Sequence, residues 1–366
     1  MKIVIVSHST YPNQSPRAAR THELATQLAK DHEVVLYVLA GDYDYSEYIK
    51  NTGIKVKNLG RPISFIYDPE KGIKSSFVDK VFYKLFHNLF EYPYLELCFL
   101  TNKCLKRESD IDLLITIAVP HSIHWGAALF RTKNKTKLKR TIWVADCGDP
   151  YMGNPFHKKP FYFEYIEKWF CRQADYLSVP FEGAKEGYYS EFNHKIQIIP
   201  QGFNLEGLSP DGDYKKNKVP TFIYAGNFYE KFRDPRPLLD HLLSINKPFK
   251  FIIHTKRTKL IEAYKGTLGE KLQVCDYIPR AELINKMNAC DFLINMENTG
   301  SVQMPSKLID YILSGRPVLS IDTSKQEQLE KINSFLEGDY SQQLHLPSSS
   351  NYDIINIAKK FTSLVR

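Results

Sequence analysis

The sequence predicts an α/β protein of two Rossmann-like domains, whose parallel sheets face a central cleft. Three observations predict it. First, Lys2-Ile-Val-Ile-Val-Ser7 is a short apolar run ending in small polar residues, and Val34 to Ala40 is another. Between them Arg17 to Lys30 has a helical pattern, with Ala18, Leu24, Ala25, Leu28 and Ala29 on one face. Strand, helix and strand at this spacing make a βαβ unit, which implies a parallel sheet. Second, the same rhythm restarts at Thr221. Third, Asn204 to Pro220, rich in Pro, Gly, Asp and Lys, reads as a linker between the two series.

Further strands of the first series are expected at Leu113 to Ala118, Thr141 to Ala145, Tyr176 to Val179 and Ile196 to Ile199, with a helix over Phe161 to Arg172. The second series places strands at Thr221 to Ala225 and Phe249 to His254, then at Leu272 to Cys275, Phe292 to Asn295 and Pro317 to Ile321. Open parallel sheets bind ligands at the carboxyl ends of their strands. Two of them in tandem suit a reaction that joins two substrates.

The segment Phe77 to Arg107 is different. Val78, Val81, Phe82, Leu85, Phe86 and Leu89 fall on one helical face, with Asp79, Lys80, Lys84, His87 and Asn88 opposite. The expectation is a helix that packs this face on the first domain's sheet, because the polar face is only modestly basic. A peripheral membrane contact is the alternative. The basic run Arg131 to Arg140 joins a helix to a strand, on the side of the sheet away from ligands, and reads as a solvated loop.

Of 366 residues, 43% are hydrophobic and 25% charged, the balance of a soluble globular protein long enough for two domains. The apolar runs are too short to cross a bilayer, and polar Ser7, His8 and Ser9 interrupt the first one before it resembles a secretory signal. A cytoplasmic protein is expected, at most peripheral at the inner face of the membrane. The six cysteines are scattered, with no C-x-x-C pair, which argues against structural zinc and disulfides. The formal charge of +8 suits anionic partners. Nucleic acid is not expected among them, because basic residues do not interleave with aromatics along one face.

The chemistry is concentrated between Asn295 and Val318. A strand ends at Asn295, a polar loop containing Gly300 follows, and a helix begins near Pro305. Free N–H groups at such a helix start, with Ser306 and Lys307, cradle phosphate oxygens. Asp310 shares a face with Ser306 and Lys307, where its carboxylate can accept hydrogen bonds from ribose hydroxyls. Gly315 ends the helix.

The stretch Pro305-Ser-Lys-Leu-Ile-Asp-Tyr-Ile-Leu-Ser-Gly-Arg-Pro-Val318 resembles the donor-binding signature of family-4 glycosyltransferases with the GT-B fold. Four other elements resemble that family in the same order. Val119-Pro-His-Ser-Ile-His124 is similar to a Pro-rich His element, and Val144-Ala-Asp-Cys-Gly-Asp-Pro-Tyr151 to the Asp-x-Arg-Asp-Pro-Trp element of one subgroup. Ile198-Ile-Pro-Gln-Gly-Phe-Asn204 is similar to the interdomain element, and Tyr224-Ala-Gly-Asn-Phe-Tyr-Glu-Lys231 to the glycine loop that opens the second domain. The resemblance implies an acceptor domain over 1–204, a nucleotide-sugar donor domain over 205–350, and a C-terminal helix over 351–366 that packs back on the first. It implies a retaining sugar transfer from a UDP-, GDP- or similar donor to a glycan or lipid-linked acceptor in surface polysaccharide biosynthesis. No cofactor and no protein-bound metal are expected.

Without a metal, cations and helix N-termini must offset charge on the departing diphosphate. Gly226, Lys231, Arg233, Gly300, Ser306, Lys307 and Asp310 are the candidate donor-binding residues. An exposed loop is the alternative for Lys231 and Arg233. In the first domain Arg17 and Arg20 are candidates for an anionic acceptor such as a lipid diphosphate; surface arginines at a helix start are the alternative. His124, Asp146 and Asp149 follow strand ends, where a histidine can bind sugar hydroxyls or pass a proton. A helix-start histidine held by a structural hydrogen bond is the alternative. The candidate catalytic residues are therefore His124, Asp149 and Glu297.

The sequence also departs from the family. The first glutamate of its E-x7-E pair is Val302 and the second is Asp310, with Glu297 the nearest substitute for the first. Asn227 stands where many relatives carry arginine, and Gly148 replaces the arginine of Asp-x-Arg-Asp-Pro. These changes keep open a nucleotide-sugar epimerase or hydrolase, or an inactive scaffold, on the same fold. Three D-x-D patterns (Asp42 and Asp44, Asp110 and Asp112, Asp211 and Asp213) lack a strand-end context and are discounted as metal sites.

Overall fold

The computed structural model describes residues 1–13, 15–62, 77–134, 140–154, 159–206, 214–230, 233–297 and 308–365, with backbone only at 77–79, 281 and 308. The chain divides into two compact units, Met1–Asn204 with Ser350–Arg366, and Leu205–Ser349.

In the first unit the chain runs β1 (Lys2–Ser7), α1 (Pro16–Ala29), β2 (Glu33–Val38), α2 (Ser46–Thr52), β3 (Lys55–Asn58), α3 (Phe77–Phe90) and α4 (Glu96–Leu105). It continues through β4 (Leu113–Ile117), α5 (Ser122–Lys133), β5 (Ile142–Asp146), α6 (Phe163–Gln173), β6 (Tyr176–Val179) and β7 (Ile196–Ile198). The strands form one parallel sheet in the order β3-β2-β1-β4-β5-β6-β7. Its central strands are apolar at nearly every position because helices cover both faces. Alternate residues of β1 serve the two sides. Val4 and Val6 pack with Phe130, Trp143 and Phe170, whereas Ile3 and Ile5 pack with Leu24, Leu28 and Phe361. The edge strand β3, Lys-Val-Lys-Asn, has no apolar run, and its pairing with β2 alone makes it a strand. Lysines suit such an edge because they discourage further pairing.

The second unit runs β8 (Thr221–Ala225), α7 (Arg236–Leu243), β9 (Lys250–His254), α8 (Glu262–Leu268), β10 (Leu272–Cys275) and α9 (Arg280–Asn288). Then come β11 (Phe292–Met296), α10 (Leu308–Ser314), β12 (Val318–Ile321), α11 (Gln326–Leu329) and α12 (Lys331–Glu337). Its five strands are parallel in the order β10-β9-β8-β11-β12. Phe222 stacks between Phe251 and Phe292, with ring centroids 4.6 and 4.7 Å away, and locks three adjacent strands together. On the other face, Tyr311 of α10 is fully buried and donates to the Ile294 carbonyl at 3.0 Å.

The last helix, α13 (Ile354–Thr362), belongs to the first unit. Asp353 caps it by accepting from the Ile355 N–H at 2.9 Å. Ile354, Ile357, Ala358 and Phe361 bury against Leu24, Leu28 and Ile199.

The Phe77 to Arg107 segment is two helices, and its apolar face does not pack on the sheet. Val81, Phe82, Leu85, Phe86 and Phe90 are 42% to 51% exposed. The inward side carries Tyr83 and His87, whose rings stack, with His87 lying edge-on to Tyr94. The expected packing fails because the strip of Tyr83 and His87, and not the apolar face, turns toward the unit, while Lys80, Lys84 and Asn88 stay exposed.

Candidate functional site

In the first unit the candidate residues gather at the carboxyl ends of β4 and β5. Asp146 ends β5 and is buried. It accepts from Arg20 Nε at 3.0 Å, Arg20 Nη2 at 2.9 Å and Ser178 Oγ at 2.6 Å. Burial alone would raise its pKa, yet the charge and hydrogen bonds of Arg20, with Arg17 and Ser178, hold it below the usual carboxylate range. Arg20 is only 2% exposed and also donates to the Ile199 carbonyl at 3.2 Å and to that of Pro200. Arg20 is therefore a buried structural cation and not a docking point for an acceptor, a correction to the sequence reading. Arg17, one turn earlier in α1, remains partly exposed and meets Asp146 only at 3.9 Å.

His124 also needs correction. It is fully buried, with Nδ1 2.7 Å from Thr116 Oγ1 and Nε2 3.6 Å from Cys147 Sγ. Trp143 Nε1 donates to the same Thr116 hydroxyl at 2.9 Å, which leaves the hydroxyl proton for His124 Nδ1. Burial, opposed by Asp146 and assisted by Arg17, lowers its pKa to about 3. This is a neutral core histidine with both nitrogens engaged. His121, three residues earlier, takes the more telling position. It is 4% exposed, and its Nδ1 has no hydrogen-bond partner. Burial, with His124, Arg17 and Lys159 nearby, keeps it neutral, against a hydrogen bond to the Asp149 backbone.

Asp149 is half-buried, and its carbonyl accepts from the Tyr188 hydroxyl at 3.5 Å. The loop that carries it is anchored by Glu167, which the sequence reading missed. This buried carboxylate accepts from the N–H groups of Tyr151 at 3.2 Å and Met152 at 3.3 Å, and from the Tyr189 hydroxyl at 3.1 Å. Burial outweighs those bonds and pushes its pKa up to about 7. A single Glu on an amphipathic helix gives no sequence signal of such a role.

In the second unit the candidates lie at the carboxyl ends of β8, β9 and β11. Gly226 follows β8 with φ +149°, a conformation that favours glycine, and its N–H donates to the His254 carbonyl at 2.8 Å. Tyr229 and Arg233 exchange backbone hydrogen bonds of 3.1 and 2.7 Å, which folds Arg233 back beside Tyr224. Burial pushes the Tyr224 phenol up to about 12, with the Arg233 guanidinium opposing. Next to this bridge is a cavity of about 630 Å³ lined by Tyr229, Glu230, Lys256, Arg257 and Lys259 among others. Arg257 lies over the Tyr229 ring at 4.6 Å and Lys256 over Tyr277 at 4.7 Å. These cations are not among the residues singled out from the sequence; the run Lys256-Arg-Thr-Lys259 directly after a strand is the signal that could have found them.

Asp310, in the first turn of α10, accepts from Arg280 Nε at 2.6 Å. Arg280 begins α9, so this pair joins the loop after β10 to the helix after β11. Glu297 follows β11, is exposed, and accepts from Ser320 Oγ at 2.8 Å, while Asn295 Nδ2 donates to the same hydroxyl at 2.8 Å. Lys231, Gly300, Ser306 and Lys307 lie outside the described residues, as do Asp211 and Asp213. Asp44 and Asp112 accept backbone N–H groups of Ser46 and Lys2, at 2.9 and 2.7 Å. Among the described residues no three His, Cys, Asp or Glu side chains are grouped to hold a metal, and no helix is long and apolar enough to cross a membrane.

No protein-family model matches the chain, and no curated protein matches it. Solved structures do. HepE from Anabaena in complex with UDP superposes with a TM-score of 0.64 at 12% identity, covering 100% of this chain and 99% of that one. A glycosyltransferase from Rickettsia africae gives 0.62 at 11% identity, covering 100% and 97%. The apo form of WaaB, a lipopolysaccharide outer core galactosyltransferase, gives 0.59 at 14% identity, covering 100% and 96%. What these structures share with this chain is the architecture of two parallel α/β sheets: the chain has the GT-B fold.

Proposed function

We propose that this chain is a glycosyltransferase that moves a sugar, with retention of configuration, from a nucleoside-diphosphate sugar to a glycan or lipid-linked acceptor. The observation that carries the reading is the cation-lined cavity of about 630 Å³ at the carboxyl ends of β8 and β9. Its size suits a small organic ligand, and its cations suit a diphosphate. The capture of HepE with UDP and with UDP-glucose supports the same ligand class here.

The chemical demand is charge. As the sugar leaves, the diphosphate gains negative charge, and preorganised cations lower that barrier by about 3–4 kcal/mol per donor. Lys256 and Arg257, which line the cavity, supply such cations, and Arg233, Lys231, Ser306 and Lys307 are the further candidates for contacts to the diphosphate. Arg280 orients the Asp310 carboxylate toward a ribose. Glu297, steadied by Ser320, faces the transferred sugar. Asp149 and the neighbouring His121 belong to the sugar-handling end of the first unit. Assembly of a surface polysaccharide is the proposed setting, supported by the activity named for WaaB.

A lipid-linked acceptor gives the exposed face of α3 a purpose. Val81, Phe82, Leu85, Phe86 and Phe90 would enter an anionic leaflet, with exposed Lys80 and Lys84 of the same helix and the +8 net charge favouring acidic headgroups.

A thermal-shift panel of UDP-, GDP-, ADP- and CMP-sugars tests the donor reading, since a bound donor stabilises by RT ln(1 + [L]/Kd). The donor that shifts the protein is then followed in a transfer assay. No shift with any donor overturns the reading, and free sugar or an epimer without transfer replaces it by hydrolysis or epimerisation.

A further inference from the structure

A Cβ added to Gly148 would fall 1.5 Å from Nη2, 1.8 Å from Cζ and 2.5 Å from Nη1 of Arg17. The guanidinium thus fills the volume that any side chain at position 148 would need. Only glycine at 148 permits this placement of Arg17, and Arg17 is the cation that uses the space.

The placement leaves the guanidinium underused. Its ion pair with Asp146 is long, at 3.9 Å, because Arg20 and Ser178 already occupy that carboxylate at shorter range. A guanidinium carries five N–H donors, and the Arg17 side chain is 26% exposed, so donors remain for a ligand. A second group points the same way. His121 is 4% exposed, and its Nδ1 has no partner in the protein. Arg17 lies close enough to this buried ring to help keep it neutral, which makes the imidazole an uncharged polar neighbour of the guanidinium.

We infer that Arg17, seated on Gly148, forms an oxyanion subsite of the first unit for a phosphate or carboxylate of the acceptor. This rests on the reading of the first unit as the acceptor side, and it makes Gly148 and Arg17 a specificity pair.

The test is calorimetric titration of the full chain with inorganic phosphate and, separately, acetate at fixed ionic strength. Each is repeated after saturation with the nucleotide that gives the largest thermal shift. A site that persists beside the bound nucleotide is expected. It should weaken by about tenfold or more in Arg17→Ala and in Gly148→Ala, and less in Arg17→Lys. The double variant Arg17→Ala with Gly148→Arg returns a guanidinium to the same volume and should regain most of the binding. Arg17→Ala removes only a partly exposed side chain, so it keeps the test valid if Gly148→Ala fails to fold. Phosphate binding alone or acetate binding alone names the oxyanion. Binding of neither, or equal binding by native protein and Arg17→Ala, overturns the subsite. If no nucleotide binds, the donor reading fails while the titration without nucleotide still decides this one.

Discussion

Arg20 and Asp146, distant in sequence, form a buried ion pair through two hydrogen bonds of 3.0 and 2.9 Å. The Phe361 ring lies 5.4 Å from the Arg20 guanidinium, so one arginine ties α1, β5 and α13 together. The pair stands directly behind the Arg17 subsite, and it fixes the strand end from which Gly148 and Asp149 emerge.

Removing one partner leaves an uncompensated buried charge. Arg20→Ala is therefore expected to cost about 3–5 kcal/mol of stability. Arg17→Ala, which loses one long and partly exposed contact, should cost less than about 1 kcal/mol. Urea unfolding of the two variants side by side checks this, and equal losses would contradict the division of roles.

Glu167 makes stability depend on pH with a definite sign. Its pKa is raised from 4.5 to about 7, so between those values the native state holds a proton that the unfolded chain has released. Its contribution is full below 4.5 and is lost as pH rises through 7, by about 3 kcal/mol in all. Glu167→Gln should flatten this fall between pH 5 and 8 relative to the parent. Parallel stability curves for the two proteins would show that the carboxyl is not protonated there.

Asp310 separates binding from folding. Its partner Arg280 is 38% exposed, so solvent screens the pair, and Asp310→Ala should cost under about 1 kcal/mol of stability. The donor-induced thermal shift should nevertheless disappear. A full shift in the variant removes Asp310 from the donor site.

The cations around the cavity act on charge. Lys256→Ala combined with Arg257→Ala should weaken nucleotide-sugar binding about tenfold at low salt, with the gap narrowing as salt screens the exposed side chains. A loss that ignores salt would point to packing on Tyr229 and Tyr277 instead.

The face of α3 is tested with vesicles. Phe82→Asp with Leu85→Asp should abolish sedimentation with anionic vesicles and leave thermal stability unchanged, because both residues are about half exposed. Retained sedimentation would assign the surface to something other than lipid.

Much of the architecture was legible because a strand or helix announces itself through neighbouring residues. The apolar runs of β1, β2, β4 and β8 to β12 and the helical spacing of α1 and α6 are local patterns, and parallel order follows from their alternation. The edge strand β3 escaped because Lys55 to Asn58 has no such pattern. The face of α3 was legible as amphipathic, but amphipathicity does not say what the apolar side meets.

The sequence by itself determined two α/β units, the strand ends where chemistry gathers, and a short set of residue types suited to it. Only the tertiary structure decided between Arg17 and Arg20, and between His121 and His124. Each pair is three residues apart, so nothing local separates its members. Asp146, 126 positions from Arg20, claims one arginine. Thr116 and Cys147 claim one histidine. The cost of burying a polar group depends on the partners it finds, and long-range packing supplies those partners.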